Sequence, residues 1–134
     1  LACWPGQWAA PEFVLLGNRS ALEDLRNFPP DLIAGHCRVE VDRLALPGVV
    51  GLMHGCDAFL GADGGLMHVA VACDLPGLAL FVEIDPALRL LPGTRLHGRF
   101  TASAIDELAV ETVAEAFVES LGADQATRRT TASI

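Results

Sequence analysis

The chain contains no lysine and no tyrosine, and its nine basic residues are all arginine. Against 17 acidic residues they leave a formal net charge of −8. Nucleic acid and anionic membrane surfaces are bound through many cationic contacts, so neither is expected as a partner. Small anions stay open, because backbone N–H groups at a helix N-terminus hold them without side-chain charge. No CxxC pair occurs among Cys3, Cys37, Cys56 and Cys73. Cys56 and Cys73 sit in apolar helical patterns, where a thiol behaves as a small hydrophobe. The reading is a reduced protein of the cytoplasmic type. His54 and Cys56, with His36 and Cys37, can be drawn as metal ligands. Zinc sites usually show short paired spacings, so no metal is expected. No run of about 18 apolar residues exists, so no transmembrane helix is expected. The opening "LACWPGQWAAPE" lacks a basic flank and a long apolar core, so it is not read as a secretory signal. A GxGxxG fingerprint is missing, which counts against a dinucleotide site.

What is present is apolar. Hydrophobic residues make up 51% of the 134, which excludes disorder and allows one domain with a real core. Residues 1–12 read as an irregular segment, 13–122 as the domain and 123–134 as a flexible tail. Phe13 to Leu16 is a short apolar run stopped by Gly17 and Asn18, a buried strand. Ser20 and Glu23 form a capping-box pattern ahead of "ALEDLRNF", a helix that ends before Pro29 and Pro30. "CRVEV" alternates enough for a short strand. Leu44, Val49, Leu52 and Met53 follow helical spacing, with Pro47 in the first turn.

"DAFLGA" and "GLALFV" read as buried strands on either side of a helix from Gly64 to Cys73, closed by Pro76. Residues 83–99 carry turn chemistry at Asp85-Pro86 and Pro92-Gly93 and read as a long loop with at most one helical turn. The last helix is capped by Ser103 with Asp106. It presents Ile105, Leu108, Ala109, Val113, Ala116, Phe117 and Leu121 on one face and stops at Gly122. Glu107, Glu111 and Glu115 make a solvated opposite face. Continuous apolar strands alternating with helices predict an α/β fold, a Rossmann-like parallel sheet with helices on both faces.

Ligands of such sheets bind beyond the carboxyl ends of the strands. Asp63 stands at one of those ends, in "FLGADGGLMHVAVA". Gly64 and Gly65 then open a helix, where N–H groups and the dipole face outward. That is a phosphate site made without basic side chains. The plainer alternative is that Asp63 is an N-cap, the glycines make a tight turn, and His68 is a packed residue.

The block Asp63-Gly64-Gly65-Leu66-Met67-His68-Val69-Ala70-Val71-Ala72 resembles one in the ADP-heptose:lipopolysaccharide heptosyltransferases, glycosyltransferase family nine. Those proteins carry Asp-Ser/Thr-Gly-x-x-His-x-x-x-Ala after a strand. They then have a strand ending in an aromatic and a Gly-Pro-Thr-Asp-Pro turn; here it reads Phe81-Val82-Glu83-Ile84-Asp85-Pro86. "LALPGVVGLMHGCDAFLGA" is similar to the helix and strand before the block. The resemblance covers residues 13 to 121 and is specific mainly between 44 and 86.

It implies the C-terminal half of a GT-B glycosyltransferase, which holds the nucleotide-sugar. The Asp would contact the donor sugar and the following N–H groups the diphosphate. Those roles would fall on Asp63, Gly64 and Gly65, with Leu66 and His68 beside them. Leu44 would contact the base, and Glu23 lies near the family's ribose-binding Glu. No cofactor is implied, and no catalytic residue is assigned: acceptor domain and base would come from elsewhere. Departures are plain. Gly64 replaces a hydroxyl residue, Val82-Glu83-Ile84 replaces Gly-Pro-Thr, and the family's donor-binding Lys has no counterpart. Trp4-Pro5 is similar to a remnant of the upstream loop.

Three readings stand. The first is a donor domain that transfers a sugar to a lipopolysaccharide-type acceptor when an acceptor domain is supplied. The second is a degenerate nucleotide-binding or interaction module, as a homodimer or with a separate partner. The third is a general Rossmann-like or flavodoxin-like nucleotide binder, ranked last for want of GxGxxG.

Overall fold

The computed structural model describes residues 10–101 and 104–132. Cys3, the Trp4-Pro5 pair and the cap expected at Ser103 lie outside them. The chain divides into two compact units, one within Gly6–Gly51 and the other within Leu52–Ile134.

The N-terminal unit holds β1 (Phe13–Leu15), α1 (Ala21–Arg26), α2 (Pro30–His36), β2 (Cys37–Val39) and α3 (Leu46–Met53) as far as Gly51. β1 and β2 pair in parallel, from Phe13 opposite Cys37 to Leu15 opposite Val39. Asp42 N–H donates to the Gly17 carbonyl at 2.9 Å, and Asp42 pairs with Arg19 at 3.1 Å. The capping box expected from Ser20 and Glu23 does not form. Ser20 has helical backbone (φ −64°, ψ −31°) and makes no side-chain cap bond. An N-cap needs extended backbone to aim its oxygen at the helix. Asn18 acts instead: its Oδ1 accepts from the Ser20 N–H at 3.1 Å and the Ser20 hydroxyl at 2.6 Å. α3 carries Pro47 in its first turn, where a missing N–H costs nothing.

The C-terminal unit holds β3 (Phe59–Ala62), α4 (Gly65–Ala72), β4 (Gly77–Val82), a 3-10 turn (Pro86–Leu88), β5 (Leu96–Thr101), a second 3-10 turn (Ile105–Glu107) and α5 (Val110–Ala132). Its sheet is parallel with order β3-β4-β5. β4 is central and buried from Gly77 through Phe81. Leu78 and Leu80 point to one face and pack with Ala116, flanked by Leu108, Val113 and Phe117. Ala79 and Phe81 point to the other face and are fully buried, as are Met67 and Ala70 of α4. Burial on both faces is why "GLALFV" is a continuous apolar run. Gly77 is required where β4 begins. Its φ is +142°, and a Cβ there would collide with the Phe59 carbonyl oxygen. The architecture is mixed α/β, with two all-parallel sheets flanked by helices, consistent with a Rossmann-like fold.

Several elements differ from expectation: β1 and β3 are only partly buried, and the last helix begins at Val110, with Ile105–Glu107 a separate 3-10 turn. Residues 96–99, read as loop, form β5 together with Phe100 and Thr101, in register with β4, Gly77 opposite Leu96. Its side chains are buried only at Leu96 and Thr101, so no apolar run marks it. Gly98 sits under the 3-10 turn; a Cβ there would collide with that of Pro86. Gly122 does not stop the last helix. α5 continues to Ala132. The turn beyond Gly122 is anchored by Asp124, whose carboxylate receives Arg95 Nε at 2.7 Å and Nη2 at 2.8 Å.

Candidate functional site

Asp63 extends β3 by one residue, its N–H donating to the Leu80 carbonyl at 2.9 Å. Gly64 follows in extended backbone (φ 160°, ψ −172°) as the N-cap, and α4 starts at Gly65. The His68 N–H donates to the Gly64 carbonyl at 3.3 Å, the first bond of the helix. By helix geometry the N–H groups of Gly65, Leu66 and Met67 precede any intrahelical acceptor. A Cβ at Gly64 or Gly65 would meet nothing within 4 Å. Neither glycine is therefore demanded by the fold, unlike Gly77. The space in front of this turn is open.

The Asp63 side chain is not the cap: no side-chain cap bond is made at this helix start. Its carboxylate faces Arg89, Oδ2 to Nε 3.7 Å. Leu66 is half-buried, while His68 is exposed rather than packed. The helix turns Met67 and Ala70 inward, so the residue after Met67 falls on the solvent side. Asp63, Gly64, Gly65, Leu66 and His68 thus share one strand–turn–helix. Glu23 is exposed in the first turn of α1, and Leu44 is half-buried ahead of α3; both belong to the N-terminal unit.

The chain beyond β4 faces this turn through Arg89. Glu83 takes a left-handed conformation (φ +69°) that disfavours any residue with a Cβ. Asp85 caps the 3-10 turn, its Oδ1 accepting from the Ala87 N–H at 2.9 Å, with Pro86 next. Arg89 closes the turn and escaped sequence reasoning. The one signal for it was a cation in the loop after a strand's carboxyl end.

Burial, then Asp57 and Cys73, push the Cys56 thiol up from its ordinary pKa. The thiolate is the form that ligates metal or attacks, so this residue is suited to packing. Its Sγ lies 3.5 Å from the Leu52 carbonyl oxygen. Among the described residues, no three His, Cys, Asp or Glu side chains converge as a metal site. No helix among them is long and apolar enough to cross a membrane.

The strand–turn–helix at Asp63 lies inside a stretch that matches a known family. Residues 31–92 match the model of glycosyltransferase family 9 (heptosyltransferase). The match covers less than half of the chain and is consistent with a partial glycosyltransferase family 9 domain. The matched stretch runs from α2 to the loop beyond Arg89; it includes Leu44 and the whole Asp63 block, and excludes Glu23. No curated protein and no solved structure matches the chain. The family 9 match supports a glycosyltransferase-like function.

Proposed function

We propose that the Asp63 turn binds a nucleotide-sugar donor of the ADP-heptose kind. In this reading residues 13–122 serve as the donor domain, and the sugar passes to a lipopolysaccharide or related glycan in the cytoplasm when a separate acceptor domain is supplied. The observation that carries it is the open turn: two glycines with free space above them, at the N-terminus of α4, inside the family 9 match. The N–H groups of Gly65 to Met67 and the helix dipole would meet the diphosphate. Asp63 would contact the sugar, and His68, exposed one turn in, would flank it. Leu44 and Glu23 are the proposed contacts to base and ribose. The base that deprotonates the acceptor would come from the acceptor domain, whose closure would also exclude water.

A second reading, a non-catalytic nucleotide-binding or interaction module, draws on two observations. Gly64 offers no hydroxyl, and the chain has no lysine for a phosphate. Titration of the chain with ADP and UDP tests both. Heat of binding with amide shifts at Gly64 to Met67 is the expected result; neither ligand giving heat or shifts overturns donor binding. ADP-heptose turnover with an acceptor domain, lost in Asp63→Ala, separates the enzyme from the module.

A further inference from the structure

The cation that reaches Asp63 is held unusually loosely. Arg89 Nε stands 3.7 Å from Asp63 Oδ2, an ion pair too long for a hydrogen bond. The Arg89 side chain is 46% exposed and that of Asp63 22%. Elsewhere in the same unit an arginine is fully engaged: Arg95 gives Nε and Nη2 to Asp124 and Nη1 to the Asp74 carbonyl at 2.7 Å. Arg89 makes no such commitment, so its guanidinium donors remain available to a ligand. Its backbone is nevertheless fixed. The Arg89 N–H donates to the Pro86 carbonyl at 3.0 Å, at the end of the turn that Asp85 caps.

A diphosphate at the α4 N-terminus would arrive beside the Asp63 carboxylate. Like charges at that range repel unless a cation lies between them. Arg89 already faces Asp63, and a guanidinium matches phosphate oxygens bidentately. We propose that Arg89 is a phosphate-binding residue for a nucleoside diphosphate, held by Asp63 in the empty site and transferred to the phosphate on binding. Asp63 then has two effects: it positions the sugar, and it competes for the cation that the phosphate needs. This inference rests on the reading of the Asp63 turn as the donor site.

Calorimetric titration of the chain with ADP, at low and high salt, tests it. Arg89→Ala is expected to weaken ADP binding by about tenfold or more, the loss of one charge-assisted contact. It should also flatten the salt dependence, and Arg89→Lys should restore part of both. Asp63→Asn should bind ADP more tightly than the parent, because the competitor is neutral and ADP carries no sugar. If Arg89→Ala fails to fold, the Lys variant reads the same contact through its weaker, non-bidentate binding. Equal ADP affinity and salt dependence in the parent and the Arg89 variants overturn the inference and leave the donor site standing. A parent chain that binds no ADP overturns both.

Discussion

Two aspartate–arginine contacts stand at opposite ends of the three-stranded sheet, and they are built differently. At the amino ends of β4 and β5, Arg95 bridges the turn at Asp74 to Asp124 of α5 with charge-assisted bonds of 2.7 and 2.8 Å. At the carboxyl ends, Asp63 and Arg89 only face each other at 3.7 Å. The glycines follow the same division. Gly77 at the amino end is packed against the Phe59 backbone, whereas Gly64 and Gly65 at the carboxyl end look onto open space. One end is closed by its own chain, and the other opens onto free space at Gly64 and Gly65. The pattern matches the rule that open parallel sheets bind beyond the carboxyl ends of their strands.

The sharpest way to break the contrast is at the glycines. Gly77→Ala should cost about 4 kcal/mol or more, since both its φ and the Phe59 carbonyl oppose a Cβ. Gly64→Ala should stay within about 0.5 kcal/mol of the parent. Urea denaturation of the two variants measures the difference, and comparable losses would contradict it. Next in size is the clamp. Asp124→Ala leaves the mostly covered Arg95 without two charged bonds and should cost about 2 kcal/mol in the same assay.

Glu83→Gly sharpens the comparison from the other side. Left-handed strain at Glu83 is worth about 1–2 kcal/mol. Glycine's extra chain entropy offsets about 0.5–1 kcal/mol of that relief. A small rise in melting temperature is expected, and a fall would mean that the Glu83 side chain holds the turn. The smallest effect belongs to Arg89→Ala, whose long, exposed ion pair should change stability by less than about 0.5 kcal/mol. A large loss in the same melt would make the pair a structural tie.

The central part of the fold was legible because its chemistry is local. The run "GLALFV" announces a strand buried on both faces, and Asp85-Pro86 announces the turn that Asp85 caps. The strand–turn–helix at Asp63 followed from an apolar run, two glycines and a helical spacing. β5 was not legible: His97, Gly98 and Arg99 interrupt any apolar pattern, and the strand exists because β4 offers an edge. α5 passed its expected stop because Asp124 is tied to Arg95, a contact between residues far apart in sequence. The cap at Asn18 in place of Ser20 turned on backbone angles that residue identity does not give. Arg89 escaped for the same reason as Asp124. Its partner is set by two separate strand ends, and no local pattern links them.

The strand order β3-β4-β5 repeats the order of the chain. Each strand pairs with the one made just before it, Phe59 with Gly77 and then Gly77 with Leu96. Every pairing in this sheet therefore closes a single crossover connection, and neither β4 nor β5 waits for a strand made later. On a ribosome, this sheet can be laid down strand by strand as the residues emerge, with α5 arriving last to cover Leu78 and Leu80.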